Sequence, residues 1–405
     1  KIKELPKLSI RNIRYLDDLV TNFSLNDAKR VKSIEKRTNH DVKAIEYYLK
    51  EKFTEVKSLE KYSEFIHFAC TSEDINNLSY SLMIKDSSKI ISLNIDNLIK
   101  ALKEKAIKYS NISMLSRTHG QTASPTTMGK EFANFVHRIS SINKSIKETA
   151  LKGKINGAVG NFNAHAIAYP EVNWEIVSKK FIKELGLEVN THTTQVEPKD
   201  SIAELFFHYV RLNNVLIDFS RDIWGYISLG YFKQKLKKGE IGSSTMPHKV
   251  NPIDFENAEG NLGLANANFQ HLSNTIVISR WQRDLSDSTI MRNIGLCYGH
   301  TNLALSSLLK GIYKLEINKD QLKHDLDSSW EVLTEAIQTI FRKHLIKDGY
   351  ELMKELSRGK KISKEDLHHL IDKIDIPSEE RQALKSLTPS SYTGIAKTLA
   401  KQLKD

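Results

Sequence analysis

The sequence is poor in the residues that interrupt regular secondary structure. Only 18 glycines and 8 prolines occur among its 405 residues, about half the share of an average soluble protein. Because glycine and proline both destabilise the interior of a helix, their scarcity predicts long helices. It argues against a β-sandwich, a collagen-like chain and a low-complexity linker protein.

Cysteines and long apolar runs are scarce too. Cys70 and Cys297 are the only cysteines, too few for a disulfide framework or a cysteine-rich metal site, and we interpret both as reduced structural residues. No stretch approaches the roughly 18 consecutive apolar residues of a membrane-spanning helix. The first residues, KIKELP, lack the apolar core of a signal peptide, so we expect a cytoplasmic protein. Because the chain begins with Lys1 rather than methionine, we expect that preceding residues are missing.

The charge balance is basic. The chain carries 60 lysines and arginines against 49 aspartates and glutamates, a formal net charge of +11. Such a balance favours anionic partners, among them nucleic acid, an acidic membrane surface or a small polyanion. The lysines are scattered, however, and the densest clusters, at 233–238 and 360–364, are short. No aromatic residues interleave with a basic stripe. We therefore interpret the charge as a solvated lysine-rich surface, with neither nucleic acid nor a membrane as partner.

Apolar residues recur at helical spacing through most of the chain and predict an all-α fold. Helices of roughly 25 to 35 residues would be about 37 to 52 Å long, and such rods are stable only when packed side by side in a bundle. Apolar residues on more than one face of these rods favour an oligomer. We predict three helical domains, 1–68, 69–312 and 313–405, of which the middle one holds the bundle. Its five long helices are expected at about 75–109, 125–152, 200–227, 255–278 and 287–315.

The segment KGEIGSSTMPHKVNP at 238–252 concentrates polar side chains and glycines between two predicted helices. Backbone N–H groups after Gly242 can turn toward one anion, Lys249 adds a positive charge and Asn251 adds an amide donor. The segment would suit a carboxylate, or the oxyanion that forms when a carbon next to a carboxylate loses its proton. A surface loop with ordinary turn residues is an equally weighted alternative.

Four further polar segments lie in connections and at helix ends, and each has a structural alternative. His119, just before a predicted helix, could exchange a proton near neutral pH, although a single histidine is more often structural. His40 adjoins Asp41, whose carboxylate could fix the histidine tautomer, but neighbouring residues on a helix point apart. The segment 70–77 could simply cap a helix. Three arginines with serine and threonine in 279–292 would suit a phosphate.

Several motifs of cofactor chemistry do not occur. The sequence has no GxGxxG or GxxxxGK[ST] segment, no metal-ligand spacing of His, Asp and Glu, and no GxSxG segment. A cofactor-free, metal-free acid–base reaction on an anionic small molecule would fit the residues that are present.

Three segments, in the expected order, resemble signatures of the fumarase/aspartase superfamily. GSSTMPHKVNP at 242–252 resembles its GSSxMPxKxNP loop, THGQTASP at 118–125 its THxQxAxP segment, and TSEDINN at 71–77 its segment that begins TSxD. Within the superfamily the chain is similar to adenylosuccinate lyases of the bacterial type, because His248 gives the loop the form MPHKxNP. The segments RWQRDLSDSTIMRN, TTQVEP and TNHDVKAIEYYL also fit that branch. The resemblance covers essentially the whole chain.

The resemblance implies a cofactor-free β-elimination that releases fumarate, from adenylosuccinate to give AMP and from the succinylcarboxamide ribotide of purine biosynthesis. It also implies a homotetramer in which each active site is drawn from three subunits. Since the polar segments lie at the ends of rods about 40 Å long, one chain in simple up-down order could not easily gather them.

Residue roles follow from the same resemblance. It makes His119 the general acid, Ser243 the general base, Lys249 a stabiliser of the charged intermediate together with Asn251, and Glu256 the carboxylate that orients the acid. The residues that would bind the substrate are Asn39, His40, Asp41, Thr71, Ser72, Thr118, Gln195, Ser244, Asn251, Asn257, Arg283, Ser288 and Arg292.

One departure and two alternatives accompany this interpretation. Family members carry an N-terminal segment with an Arg-Tyr pair at the phosphate site, and we expect this chain to start after it. Another fumarate-releasing lyase, acting on argininosuccinate, malate or aspartate, would be favoured by Gly or Gln in place of His248, and would have no use for the arginine-rich segment. A retired enzyme kept as a structural protein is disfavoured by the intact Ser243, His119 and Lys249.

Overall fold

The computed structural model describes residues 2, 4–5, 7–235, 246, 248–347, 349–357 and 362–403. Most of these residues are helical, which confirms the predicted all-α class. Within the described ranges, no helix combines the length and the hydropathy of a membrane-spanning segment. The helices are α1 (Ile10–Thr21), α2 (Leu25–Thr38), α3 (Asp41–Thr54), α4 (Lys57–Glu60), α5 (Ser72–Lys108), α6 (Met128–Glu148), α7 (Asn163–Ala168), α8 (Trp174–Glu184), α9 (Asp200–Ser228), α10 (Ile253–Thr275), α11 (Ser286–Met291), α12 (Ile294–Lys314), α13 (Lys319–Asp327), α14 (Thr334–Lys343), α15 (Gly349–Ser357), α16 (Lys364–Asp372), α17 (Ser378–Ser386) and α18 (Ala396–Lys401).

The strands of the described residues are short and pair two by two. Their bounds are β1 (Ser113–Thr118), β2 (Gln121–Thr127), β3 (Lys152–Gly153), β4 (Glu188–Val189), β5 (Phe232–Gln234) and β6 (Leu315–Ile317). Strands β1 and β2 form an antiparallel hairpin, β3 and β4 are parallel, and β5 and β6 are antiparallel.

Three of the five long helices lie where the sequence predicts them, namely α5, α9 and α10, within a few residues at each end. The second also begins after Pro125, as expected, but the proline does not lie in its first turn. Pro125 lies in β2, and α6 begins only at Met128, where the Thr127 hydroxyl accepts a hydrogen bond from the backbone N–H of Lys130 (3.2 Å). The helix therefore starts where a side-chain cap is available rather than at the proline.

The fifth long helix is interrupted. A single helix from 287 to 315 was expected, and the structure has the short α11 followed by α12. The backbone N–H of Asn293 bonds to the carbonyl of Ile290 (2.9 Å), an i to i+3 bond that tightens the last turn of α11 and ends it. The interruption separates the polar 279–292 segment from the apolar α12.

The chain folds into two compact units, each assembled from three stretches of sequence. The first comprises Lys1–Ile90, Glu148–Phe207 and Asn268–Gly295, and the second comprises Ile91–Lys147, His208–Ala267 and Leu296–Asp405. The three consecutive domains predicted from the sequence remain a prediction.

Each unit has an apolar core of its own. In the first, Val31, Ile34, Ala44 and Tyr48 pack α2 against α3. In the second, buried rings contact one another edge to face, among them Phe132 with Phe232 and Phe135 with Phe219. Aromatic contacts of this geometry stabilise beyond the area they bury. The helices that carry polar residues at their ends are thus held by rigid packing.

Candidate active site

A cleft in the first unit gathers most of the predicted substrate-binding residues. Its volume is about 720 Å³. Nine of the predicted residues line it: Asn39, His40, Asp41, Thr71, Ser72, Gln195, Arg283, Ser288 and Arg292. Four others line it as well, namely Glu35, Asn76, Asp284 and Leu285.

The corner between α2 and α3 fixes the orientation of His40. Asn39 ends α2 in the left-handed conformation (φ 51°), and His40 is the N-cap of α3. Its Nδ1 accepts a hydrogen bond from the backbone N–H of Lys43 (3.3 Å). Because an accepting nitrogen carries no proton, the neutral ring is assigned its proton on Nε2. That nitrogen lies 3.5 Å from the hydroxyl oxygen of Ser72.

Asp41 does not fix this tautomer. Its Oδ1 lies 3.6 Å from Nδ1 of His40, too far for a hydrogen bond. The same oxygen accepts from the backbone N–H of Val42 (2.8 Å). The side chain of Asp41 is about half exposed, so its carboxylate is available to a ligand in the cleft.

The first turn of α5 presents Thr71 and Ser72 to the cleft and turns the next two residues inward. Asp74 is fully buried, and its Oδ2 accepts from the backbone N–H of Thr71 (2.8 Å). Its Oδ1 forms an ion pair with the ammonium of Lys154 (3.0 Å), which is also fully buried. Helix capping, the structural alternative for this segment, is therefore present beside the cleft-lining residues.

Gln195 and Arg283 hold each other at the cleft wall. The side-chain nitrogen of Gln195 donates to the carbonyl of Ala158 (2.9 Å). Its oxygen accepts from Nη1 of Arg283 (3.1 Å). Both ends of the amide are thus engaged, which fixes its orientation.

The cleft mixes charges of both signs. Arg283 and Arg292 are its arginines, and Glu35, Asp41 and Asp284 are its carboxylates. Hydrogen bonds from the side chain and backbone of Ser286 hold the pKa of Asp284 below its usual range, so this carboxylate is ionised near neutral pH. A ligand with both anionic and hydrogen-donating groups would match such a lining.

His119 lies at the tip of the β1–β2 hairpin in the second unit. It and Gly120 form the two-residue turn, with φ of 53° and 74°, the left-handed values that such tight hairpins require. The expectation that His119 immediately precedes a helix is wrong, because the whole of β2 separates it from α6. Its side chain is exposed, and so is that of its predicted binding neighbour Thr118.

The hairpin is anchored at its stem. Arg117 donates through Nη2 to Asp325 (3.0 Å) and to the hydroxyl of Tyr231 (3.4 Å). Burial, reinforced by Asp325, raises the pKa of Tyr231 to about 12, so the phenol stays protonated. The exposed turn that carries His119 therefore extends from a fixed stem.

The last residues of the segment 238–252, from 248 onward, lead into α10. Lys249 is exposed and Asn251 is partly buried. In the first turn of α10, Glu256 accepts a hydrogen bond from the indole nitrogen of Trp224 (3.0 Å). The side-chain nitrogen of Asn257 donates to the hydroxyl of Ser307 (2.7 Å).

Two predicted residues lie outside the described residues, namely Ser243 and Ser244. Their roles therefore rest on the sequence. Among the residues that the structure describes, no group of three or more His, Cys, Asp or Glu side chains is arranged to hold a metal ion.

Comparison with known proteins identifies the chain. The lyase family model matches residues 3–265, and the model named adenylosuccinate lyase C-terminal matches residues 279–393. The chain is 54% identical to the adenylosuccinate lyase of Escherichia coli strain K12 over 404 residues, which are 100% of this chain and 89% of that protein. The chain belongs to the adenylosuccinate lyase family. It is also 52% identical to the adenylosuccinate lyase of Haemophilus influenzae over 403 residues, 99% of this chain and 88% of that protein.

Solved structures share the fold of this family member. A fumarate lyase from Mesorhizobium sp. BNC1 matches with a TM-score of 0.78 at 17% identity, over 97% of this chain and 89% of that one. A 3-carboxy-cis,cis-muconate lactonizing enzyme from Pseudomonas putida matches with a TM-score of 0.71 at 20% identity, over 92% of this chain and 83% of that one. At these identities the likeness shows the fold alone.

Membership of the adenylosuccinate lyase family confirms the resemblance read from the motifs. The chain is an enzyme, a carbon–nitrogen lyase with adenylosuccinate lyase function. Sequence reasoning missed four residues that line the cleft. Three of them had a usable signal. Asn76 follows Ser72 by four residues on α5, which places both on one face of the helix. Asp284 and Leu285 directly follow Arg283 in the segment RWQRDLSDSTIMRN, whereas Glu35 had no signal.

Proposed function

We propose that this enzyme splits adenylosuccinate into AMP and fumarate, and the succinylcarboxamide ribotide in the same way. The base removes a proton from the Cβ of the succinyl group, and the electron pair left there forms the double bond of fumarate. The carbon–nitrogen bond breaks, and the leaving nitrogen takes a proton from the acid. Every atom is accounted for without an oxidant, a reductant or a cofactor.

The cleft of the first unit would bind the substrate. This is the observation that carries the proposal: nine residues assigned to binding, from four separate segments of the sequence, line one cavity. Arg283, Ser288 and Arg292 would hold the phosphate and neighbouring polar groups, since guanidinium groups bind phosphate through paired N–H donors. His40 and Ser72 would donate to other groups of the substrate.

The catalytic roles follow from the resemblance to the family, and the described residues that carry them belong to the second unit. His119 would protonate the leaving nitrogen, since histidine is the side chain most often used for general acid–base catalysis. Glu256 would orient this histidine, and its carboxylate is itself oriented by Trp224. Lys249 and Asn251 would stabilise the doubly charged carboxylate intermediate, with Asn257 near it as a further contact.

Ser243 would be the general base and Ser244 a binding residue. Serine is a poor base at its ordinary pKa, so it would need the backbone amides of its loop and the ammonium of Lys249 to hold it as an alkoxide. We expect the substrate to close this arrangement.

We further propose a homotetramer in which three subunits contribute to each site. Exposed apolar residues on long helices support an assembly, for example Met83 and Ile90 seven residues apart on α5 and Leu296 and Leu303 seven apart on α12. Side chains seven residues apart lie on one helix face, as a packed interface requires. We place the enzyme in the cytoplasm, in keeping with two cysteines that form no disulfide.

The first test is fumarate release from adenylosuccinate by the purified chain, without added metal or cofactor. Release of fumarate with the matching change in purine absorbance supports the proposal. No turnover by this chain, nor by one extended to the length of its relatives, would point to another lyase or to a retired enzyme.

Point variants test the assigned roles. His119→Ala and Ser243→Ala should each abolish turnover and leave the assembly intact, whereas His137→Ala, which removes another exposed histidine of the second unit, should keep it. Mixing the two inactive proteins should restore part of the activity, because some mixed sites receive an intact copy of each residue. Activity near the original in either single variant would remove that residue from the mechanism, and no recovery on mixing would contradict shared sites.

A further inference from the structure

Four charged side chains form a buried cluster behind the cleft wall of the first unit. The ammonium of Lys199 lies 3.1 Å from Oε1 of Glu73 and 2.7 Å from Oδ2 of Asp287. The other oxygen of Glu73, Oε2, lies 3.7 Å from Nη2 of Arg283. Lys199 and Glu73 are each 4% exposed, and Arg283 is 16% exposed.

We propose that Glu73 and Lys199 are positioning residues, which hold the guanidinium of Arg283 against the cleft and keep its charge available to an anionic group of the substrate. This inference rests on the proposed function, because it takes Arg283 as a substrate-binding residue. It adds two residues that do not line the cleft themselves.

The carboxylate of Glu73 contacts two cations at once. Each of its oxygens faces a different cation, Lys199 on one side and Arg283 on the other. Gln195 holds the guanidinium from a second direction, through Nη1 (3.1 Å). A guanidinium has five N–H donors. Fixing Nη1 and Nη2 by one contact each leaves further N–H groups of the same nitrogens for a ligand.

Lys199 is needed because two carboxylates share this interior. Without Lys199, only the positive charge of Arg283 would balance the carboxylates of Glu73 and Asp287. The cluster would then carry a net negative charge next to an anion-binding wall. With it, two cations face two carboxylates. Desolvation lowers the pKa of the Lys199 ammonium, but Glu73 and Asp287 outweigh it and raise that pKa above its usual value. The lysine therefore stays charged despite its burial.

The cluster also joins three segments of the chain. Glu73 belongs to the first turn of α5, Lys199 precedes α9, and Arg283 and Asp287 flank the start of α11. Lys199 itself has a φ of 65°, a strained value for a lysine, and its backbone N–H donates to Glu197 (2.8 Å). Surrounding contacts thus hold Lys199 in a backbone conformation that lysine rarely adopts.

A double-mutant cycle separates positioning from general support of the fold. We measure kcat and KM for adenylosuccinate with Glu73→Gln, Arg283→Ala and the double variant, after checking by circular dichroism that each is folded. Glu73→Gln should raise KM about tenfold with kcat within about twofold, because it removes the negative charge that faces the guanidinium, and coupling between contacting side chains is commonly worth roughly that factor. In the Arg283→Ala background the same change should have no further effect on KM, because its target is gone.

Three outcomes would overturn the inference or its basis. An unchanged KM in Glu73→Gln, or effects that multiply in the double variant, would mean that Glu73 does not act through Arg283. An unchanged KM in Arg283→Ala would instead refute the binding role assigned under the proposed function. Should Glu73→Gln fail to fold, Glu73→Asp keeps the charge but withdraws the carboxylate by about 1.5 Å. The same rise in KM is then expected, and its absence would refute positioning.

Two further variants complete the design. Lys199→Arg keeps the charge and should retain a KM closer to the original than Lys199→Met, which removes it. Glu46→Gln is the matched control, because Glu46 is a buried carboxylate of the same unit whose ion pairs are with Lys43 and Lys50. Its KM should not change, and a rise equal to that of Glu73→Gln would mean that any buried charge in this unit supports the cleft.

Discussion

Two glycines near the cleft allow a steric prediction with an internal control. Gly157 and Gly160 have φ of +85° and +84°, so alanine at either position would adopt the left-handed conformation. They differ in the space around them. A Cβ added at Gly157 would lie 3.5 Å from the carbonyl oxygen of Ala69, an ordinary contact, whereas at Gly160 it would lie 2.3 Å from the carbonyl oxygen of Thr193.

The magnitudes follow from these two terms. The left-handed conformation costs an alanine about 1 to 2 kcal/mol, and this cost is common to Gly157→Ala and Gly160→Ala. Contacts under 3.0 Å are essentially unknown for a Cβ, so Gly160→Ala must also displace the backbone at Thr193. Overpacking of this kind costs about 1 to 3 kcal/mol more. We expect Gly160→Ala to destabilise the protein by about 2 to 5 kcal/mol in total.

The displaced backbone also has a functional consequence. Thr193 lies two residues before Gln195, whose side-chain oxygen holds Arg283. Gly160→Ala should therefore raise the KM for adenylosuccinate, while Gly157→Ala should leave it nearly unchanged. Urea unfolding followed by circular dichroism measures the stabilities, and initial rates give KM. Equal destabilisation and equal KM in the two variants would refute the reasoning, because only the clash distinguishes them.

Two other predictions concern the second unit. Burial, with neighbouring carboxylates, raises the pKa of Asp222 from 3.8 to about 6. The folded state then binds more protons than the unfolded state between these values, so this contribution to stability is complete below pH of about 4 and is lost as the pH rises through about 6. Since the group is only half buried, Asp222→Asn should stabilise the protein by only about 1 kcal/mol at pH 8 and by almost nothing at pH 4; equal gains at both pH values in thermal unfolding would contradict this. Trp224→Phe removes the indole donor to Glu256 and should lower kcat about tenfold with little change in KM, and an unchanged kcat in steady-state assays would show that this hydrogen bond does not support catalysis.

Sequence reasoning could find the long helices because their signal is repeated many times. Apolar spacing persists through the whole of α5 and α9, and errors of a residue or two at the ends do not change the assignment. The β1–β2 hairpin gave no comparable signal. Its strands consist largely of serine and threonine, and Pro125 is typical of a helix start as well as of an edge strand. Only the pairing of β1 with β2 decides between them.

The sequence predicts which residues bind the substrate, but it does not predict where in the fold their cleft lies. His40, Ser72, Gln195 and Arg283 come from segments up to about 240 residues apart in the numbering, and resemblance to a family, rather than their spacing, brought them together. Lys199 gave no signal at all. A single lysine among 60 basic residues is expected at the surface, and only the folded chain shows that it lies between two buried carboxylates.

The first turn of α5 shows why the functional and structural interpretations of a motif need not compete. Successive residues of a helix point in directions about 100° apart, so Ser72 can line the cleft while Glu73 and Asp74 face the interior. Asp74 caps the backbone at Thr71, and Glu73 faces the guanidinium of Arg283. The cap formed by Asp74 therefore positions Thr71 and Ser72 for contact with a ligand. The buried carboxylate of Glu73 positions Arg283, from a distant segment, for contact with the same ligand. A substitution in this turn that left the cap intact would still be expected to alter ligand binding, because the positions of the side chains that line the cleft depend on the buried charges behind them.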